Sequence, residues 1–144
     1  MPITNETLES ELNNIENSQE RDHIRKLWDH ADILMQEISV NLIQGNNTAV
    51  DELTKQALDN GFDANTILDE GLIAGMAIVG IKFRDNLIFV PEVLVAARAM
   101  KAGMVYIEPI LSASGIEPIG KVIMGTVKGD LHDIGKNLCI MMLR

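Results

Sequence analysis

The stretch "DEGLIAGMAIVGIKF", residues 69–83, is the most informative about the fold. It has a helical pattern yet carries three glycines, which indicates that something packs closely against the helix. Its apolar residues recur at the spacing of one helix face. A glycine inside a helix costs about 1 kcal/mol relative to alanine, so Gly71, Gly75 and Gly80 need a compensating contact. Two explanations remain open. A neighbouring helix packs closely against the small residues, or a ligand lies against the helix end near Phe83.

Local signals set the ends of this helix and predict the next one. Asp63 is a suitable N-cap for a helix that runs to about Phe83. The residues "RDN" at 84–86 are typical of a turn. Pro91 fits the first turn of a following helix, where its missing N–H is not needed, and apolar spacing carries that helix to about Leu111.

Helical patterns also precede the glycine-bearing stretch. Apolar spacing predicts one long helix over about 19–44 and a shorter one over about 48–59, and residues 1–22 are compatible with a short amphipathic helix. Helices joined by short loops pack antiparallel. The sequence therefore predicts a helical-bundle domain over 1–112, followed by a linker of small and turn-forming residues at 113–120.

The pattern changes after this linker. The run "KVIMGTV" at 121–127 is short, apolar and β-branched, as in a buried strand of a parallel sheet. A glycine-bearing loop follows, and then the first turns of a helix. This order predicts the beginning of a doubly wound, Rossmann-like α/β domain over 121–144. One strand and two helical turns cannot bury their own faces, so we expect the sequence to be part of a longer protein.

The loop after this strand concentrates chemistry-bearing residues. Asp130, His132 and Asp133 lie between Gly129 and Gly135. In open α/β sheets ligands bind beyond the carboxyl ends of strands. A metal-ligating imidazole commonly donates its second ring N–H to a carboxylate, and Asp130 could be that carboxylate. Alternatively, an aspartate caps the last helix and His132 is solvated. A divalent-metal site is disfavoured because the loop supplies few ligands.

Composition excludes several classes of protein. The 144 residues have a net charge of −9, which argues against a nucleic-acid surface. A single cysteine, Cys139, forms no disulfide framework and indicates a reducing, cytoplasmic setting, while its apolar neighbours predict core packing. The start of the chain lacks a signal-peptide pattern, and no apolar run reaches the roughly 18 residues that span a membrane.

Three stretches together resemble one family. They are "ILDEGLIAGMAIVGIKF" at 67–83, "FVPEVLVAARAMKAGM" at 89–104 and "TVKGDLHDIGKN" at 126–137. They resemble the corrinoid-binding proteins of methyl-transfer systems, including the methylamine and methanol methyltransferase corrinoid proteins and the cobalamin module of methionine synthase. The resemblance covers about 32–144, and its short D-x-H-x-x-G pattern gains specificity from its place after a bundle and a strand.

The resemblance implies cobalamin or a related corrinoid as cofactor and assigns residues to it. His132 would be the lower axial ligand of cobalt, with Asp130 as its hydrogen-bond partner. The bundle would cap the opposite face through Phe83 and Val90, with Val93 and Leu94 nearby. The full implied set of cofactor-binding residues is Asp130, His132, Asp133, Gly135, Phe83, Val90, Val93 and Leu94.

The implied function is that of a non-catalytic methyl carrier. Such a carrier accepts a methyl group on cobalt from a substrate-specific methyltransferase. It delivers the group to a second methyltransferase acting on a thiol or a tetrahydropterin, and a reductive activase is a further implied partner. One alternative is a cobalamin-sensing regulatory module, and another is a self-associating helical bundle. No nucleic-acid or membrane partner is expected.

Two departures from the family pattern stand out. Ile81 occupies a position where family members often carry an acidic residue, which would remove a polar contact near the cap. The later serine that completes the lower-ligand arrangement, and the glycine-rich segments of the nucleotide-tail pocket, have no counterpart in the 144 residues.

Overall fold

The computed structural model describes residues 10–114, 120, 122–130, 136, 139 and 140, except for the side chain of Leu27. The chain divides into two compact units, Met1–Ser114 and Gly115–Arg144. The described part of the first unit is helical. Residues 10–13 are helical, and the elements that follow are α1 (Ser18–Asp29), α2 (Ile33–Ile43), α3 (Asn47–Asp59), α4 (Ala64–Thr66), the π-helix π1 (Ile67–Ile73), α5 (Ala74–Arg84) and α6 (Val90–Ala113).

The prediction of a single helix over 19–44 is wrong, because the helix is interrupted between α1 and α2. The Asp32 carboxylate caps α2 by accepting a hydrogen bond from the backbone N–H of Leu34 at 2.9 Å. The Gln36 side chain donates to the carbonyls of Trp28 and Ala31, both at 3.1 Å. These side chains provide hydrogen-bond partners for backbone groups at the end of α1 and the beginning of α2. Apolar spacing alone misses the break since buried residues continue on both sides of it.

The core of the first unit is built around α2, which packs against α3, π1, α5 and α6. The core consists of aliphatic side chains, one methionine and Trp28. Its largest fully buried members include Met35, Ile38, Leu42, Ile67, Leu72 and Ile107. The helical bundle predicted from the apolar spacing is therefore present in the described residues.

Two of the three interior glycines are explained by the approach of α2. A Cβ atom on Gly71 would lie 3.2 Å from Cγ2 of Ile38, and one on Gly75 would lie 3.0 Å from the carbonyl oxygen of Ser39. A Cβ atom on Gly80 would meet nothing within 4 Å. The neighbouring-helix explanation is thus confirmed for Gly71 and Gly75, whereas packing does not account for Gly80.

A buried serine secures the π-helix, where the regular backbone hydrogen bonds of an α-helix are shifted. The hydroxyl of Ser39 donates to the carbonyl of Gly71 at 2.6 Å and lies 3.2 Å from that of Glu70. It also accepts a hydrogen bond from the indole N–H of Trp28 at 3.3 Å. One hydroxyl therefore joins α1, α2 and π1 inside the bundle.

The described residues of the second unit contain no strand. Residues 122–127 are exposed and have no regular secondary structure, so the strand predicted over 121–127 is not confirmed. A strand is held by hydrogen bonds to a neighbouring strand, and the described part of this unit offers none. Cys139 is also exposed, so the core packing predicted for it is wrong within the described residues.

Candidate functional site

The corner between α5 and α6 is a tight turn with large apolar residues in it and on either side of it. The backbone N–H of Leu87 donates to the carbonyl of Lys82 at 2.8 Å, and Asn86 takes the left-handed conformation with φ of 58°. Phe89 then caps α6, and its backbone N–H donates to the Glu92 carboxylate at 3.1 Å. Pro91 lies in the first turn of α6, as the sequence predicts.

Four large apolar side chains at this turn are exposed, and we call them the apolar corner. Their exposed fractions are 45% for Phe83, 49% for Leu87, 65% for Phe89 and 42% for Val90. Single exposed apolar residues are ordinary, but several within eight consecutive positions indicate a binding surface. The apolar corner can exclude water from one side of a flat, largely apolar ligand.

The structure separates the four predicted cap residues into two groups. Phe83 and Val90 are exposed in the apolar corner, whereas Val93 is buried in the bundle core and Leu94 is half-buried. Apolar spacing and motifs did not predict Leu87 and Phe89 as members of this surface. Their signal in the sequence is the apolar run "LIF" at 87–89, between the predicted turn and Pro91.

Ion pairs flank the apolar corner on α5. The Arg84 guanidinium donates to both carboxylate oxygens of Glu20, at 2.6 and 2.8 Å, and also to Asp85. These hydrogen bonds hold the pKa values of Glu20 and Asp85 below their ordinary range and raise the pKa of Arg84. Lys82 pairs with Glu11 at 2.6 Å. Lys82, Arg84 and Asp85, which lie beside the apolar corner, are therefore all engaged in ion pairs.

A second polar network was missed by the sequence analysis and joins α3 to α6. The carboxylate of Asp51 accepts hydrogen bonds from the Tyr106 hydroxyl at 2.8 Å and the Lys55 ammonium at 2.7 Å. These bonds lower the pKa of Asp51, and the Asp51 carboxylate raises that of Lys55. Both donors share the Asp51 carboxylate, so the network links α3 to α6.

The predicted lower-ligand loop is described only in part. Gly129 has φ of +92°, and the backbone N–H of Asp130 donates to the carbonyl of Val127 at 3.0 Å, which forms a turn. Asp130 is exposed after this turn. His132, Asp133 and Gly135 lie outside the described residues. Within the described part of the chain, no group of three or more His, Cys, Asp or Glu side chains could hold a metal ion.

Comparison with known proteins identifies the bundle. The B12 binding domain family matches residues 34–108, which is just over half of the chain. The chain belongs to the B12 binding domain family. The matched stretch begins in α2 and ends in α6, so it contains the whole apolar corner. Membership of the B12 binding domain family confirms the corrinoid-protein resemblance and, at the level of the family, the predicted cofactor.

Relatives of this B12 binding domain protein have corrinoid-protein names. A corrinoid protein of Desulfitobacterium hafniense is 37% identical over 108 residues, which cover 73% of this chain and 50% of the relative. Trimethylamine corrinoid protein 2 of Methanosarcina mazei is 42% identical over 94 residues, which cover 64% of this chain and 43% of the relative. The chain thus spans about half the length of the curated relatives it matches. No helix in its described residues is long and apolar enough to cross a membrane.

Proposed function

We propose that this chain is the corrinoid-binding part of a methyl carrier. It would accept a methyl group from a substrate-specific methyltransferase and deliver it to a second methyltransferase acting on a thiol or a tetrahydropterin. The exposed apolar corner on a member of the B12 binding domain family carries the proposal. The cobalt of a bound corrinoid supplies the centre that takes up and releases the methyl group.

The apolar corner fits the cap that such a cofactor requires. Phe83, Leu87, Phe89 and Val90 present apolar surface, and the two charged residues between them in sequence, Arg84 and Asp85, are engaged in ion pairs. Their part is to exclude water from the reactive face of the ligand. Val93, three residues after Val90 on α6, is buried in the bundle core, and Leu94 is half-buried.

The opposite side of the cofactor is assigned to the second unit. His132 would hold the cobalt, and the Asp130 carboxylate would accept a hydrogen bond from the second ring N–H of His132. Asp133 and Gly135 complete the proposed set through their place in the same loop. The turn at Gly129 and the exposure of Asp130 support this assignment, because that carboxylate is accessible in a glycine-bearing loop.

A complete Rossmann-like domain is part of the proposal. Val122, Ile123 and Val127 are largely exposed although their residue types favour a buried strand. Pairing with further strands of a longer chain would cover them. We therefore propose a bundle over 1–112, a linker at 113–120 and the beginning of the cofactor-binding α/β domain over 121–144.

The partners follow from this role. The carrier contributes the cofactor site, while each methyltransferase supplies the substrate chemistry. The trimethylamine corrinoid proteins among the relatives support a methylated-amine system as one example of such a donor. A reductive activase would return an oxidised cofactor to the cycle.

The experiment that tests the assignment of His132 labels the protein with ¹⁵N-histidine and adds cob(II)alamin. An axial histidine nitrogen splits the paramagnetic resonance lines of the cobalt, and the label changes that splitting from a triplet to a doublet. We expect the doublet in the labelled protein and its loss in His132→Ala. His23→Ala, at an exposed histidine of α1, is the matched control and should keep it. An unchanged triplet in the labelled wild type would refute the assignment.

A further inference from the structure

We propose that residues 10–29 act as a brace that fixes the direction of Phe83 and thereby prepares the apolar corner for its ligand. This inference rests on the proposed function, since it gives a positioning role toward the same cofactor. The brace lies outside the stretch matched by the B12 binding domain family, which begins at residue 34. It contacts α5, the helix that carries Phe83.

Two ion pairs connect the brace to the residues on either side of Phe83. The Lys82 ammonium pairs with the Glu11 carboxylate at 2.6 Å, and both side chains are less than one-fifth exposed, at 17% and 19%. The Arg84 guanidinium holds Glu20 through two parallel hydrogen bonds. A bidentate pair of this kind fixes orientation as well as distance.

The positions of Lys82 and Arg84 on α5 allow the two ion pairs to fix the rotation of the helix about its axis. Successive helix residues lie about 100° apart around the axis, so Lys82 and Arg84 are about 200° apart, with Phe83 midway between them. Two attachments on opposite flanks of a helix resist rotation in both senses. The exposed Phe83 ring is therefore held in a defined direction without being covered by the brace.

Apolar packing between the two ion pairs completes the brace. Its side chains Leu12, Ile15, Ile24 and Trp28 form a buried cluster with α2 and α5, and the α5 members are Ala74 and Ile78. Ile78 lies about 140° from Phe83 around the helix axis. The brace thus packs on one side of α5, and Phe83 is presented on another. A surface held in place before binding loses less conformational freedom when the ligand arrives.

The test removes the two brace carboxylates that pair with α5 and measures the apolar corner with and without cofactor. The double variant Glu11→Gln, Glu20→Gln is compared with Glu16→Gln, Glu52→Gln, which removes the same charge at two exposed glutamates. In the cofactor-free chain, the amides of Asp85, Asn86 and Leu87 report the turn through hydrogen exchange. We expect these amides to exchange about fivefold faster in the brace variant and unchanged in the control.

The affinity for methylcobalamin, followed by absorbance titration, separates positioning from general stability. We expect the brace variant to bind about fivefold more weakly. In a Phe83→Ala background the same glutamate replacements should make no further difference, because the brace acts through that ring. An equal loss in both backgrounds, or unchanged exchange at the turn, would overturn the inference. A wild-type chain that binds no methylcobalamin would count against the proposed function instead, and the exchange rates would still decide whether the brace exists.

Discussion

Two alanine substitutions in one helix should change stability in opposite directions. In an exposed helix interior, replacing glycine by alanine gains about 1 kcal/mol. Gly80 has this environment, since an added Cβ meets nothing within 4 Å, so Gly80→Ala should stabilise the bundle by up to about 1 kcal/mol. At Gly75 the added Cβ would lie 3.0 Å from the carbonyl oxygen of Ser39 and 3.1 Å from its Cα, and backbone atoms of a packed helix cannot move aside cheaply.

Overpacking of this kind costs about 1–3 kcal/mol, which outweighs the gain in helix propensity. Gly75→Ala should therefore lower the free energy of unfolding by up to about 2 kcal/mol. Urea unfolding followed by the fluorescence of Trp28, the protein's single tryptophan, measures both variants with one probe. The urea midpoints should move apart in opposite directions while the slope stays constant. A stabilised Gly75→Ala variant, or two shifts of the same sign, would refute the contact geometry proposed for α2 and α5.

Three further predictions follow from the site and its supports. Ser39→Ala should cost about 1–3 kcal/mol, because it leaves the Trp28 indole N–H without its buried acceptor, and a changed Trp28 emission spectrum should accompany the loss. Hydrogen bonds lower the folded-state pKa of Asp51 from its ordinary 3.8, so its stabilising contribution is present above that pH and is lost as the pH falls through the lowered value. Thermal unfolding of wild type and Asp51→Asn between pH 7 and pH 2 should therefore converge in acid; a constant gap would contradict this. Phe83→Ala should weaken methylcobalamin binding by about tenfold with little loss of stability, whereas Val105→Ala, at an exposed position on α6, should leave binding unchanged; equal effects would contradict the role of the apolar corner.

Short-range signals predicted much of the bundle. Asp63 accepts a hydrogen bond from the Asn65 backbone N–H and begins its helix, and Pro91 lies in the first turn of α6. The glycines at 71 and 75 indicated a close neighbour, and α2 supplies it. Such signals act over a few residues, where the backbone dictates which side chains meet. The corrinoid resemblance also came from local motifs.

The break after α1 shows where local signals fail. Apolar residues follow helical spacing through the break, so the pattern continues although the helix does not. Polar contacts from Asp32 and Gln36 accompany the end of α1 and the beginning of α2. Both residue types also occur on the exposed side of uninterrupted helices, so their presence does not predict the interruption. Similarly, the residue types of Leu87 and Phe89 are typical of a core, and only the turn between α5 and α6 leaves them exposed.

The sequence by itself determined that the chain forms amphipathic helices, that the glycine-bearing helix needs a close neighbour, and that the chain resembles the corrinoid proteins. Only the tertiary structure decided which side chains form the apolar corner and which ones hold its helices in place. Glu11 and Glu20 reach Lys82 and Arg84 across 71 and 64 positions of sequence, and Ser39 reaches Gly71 across 32. No periodic pattern encodes contacts over such separations, because they arise only once packing has brought the helices together.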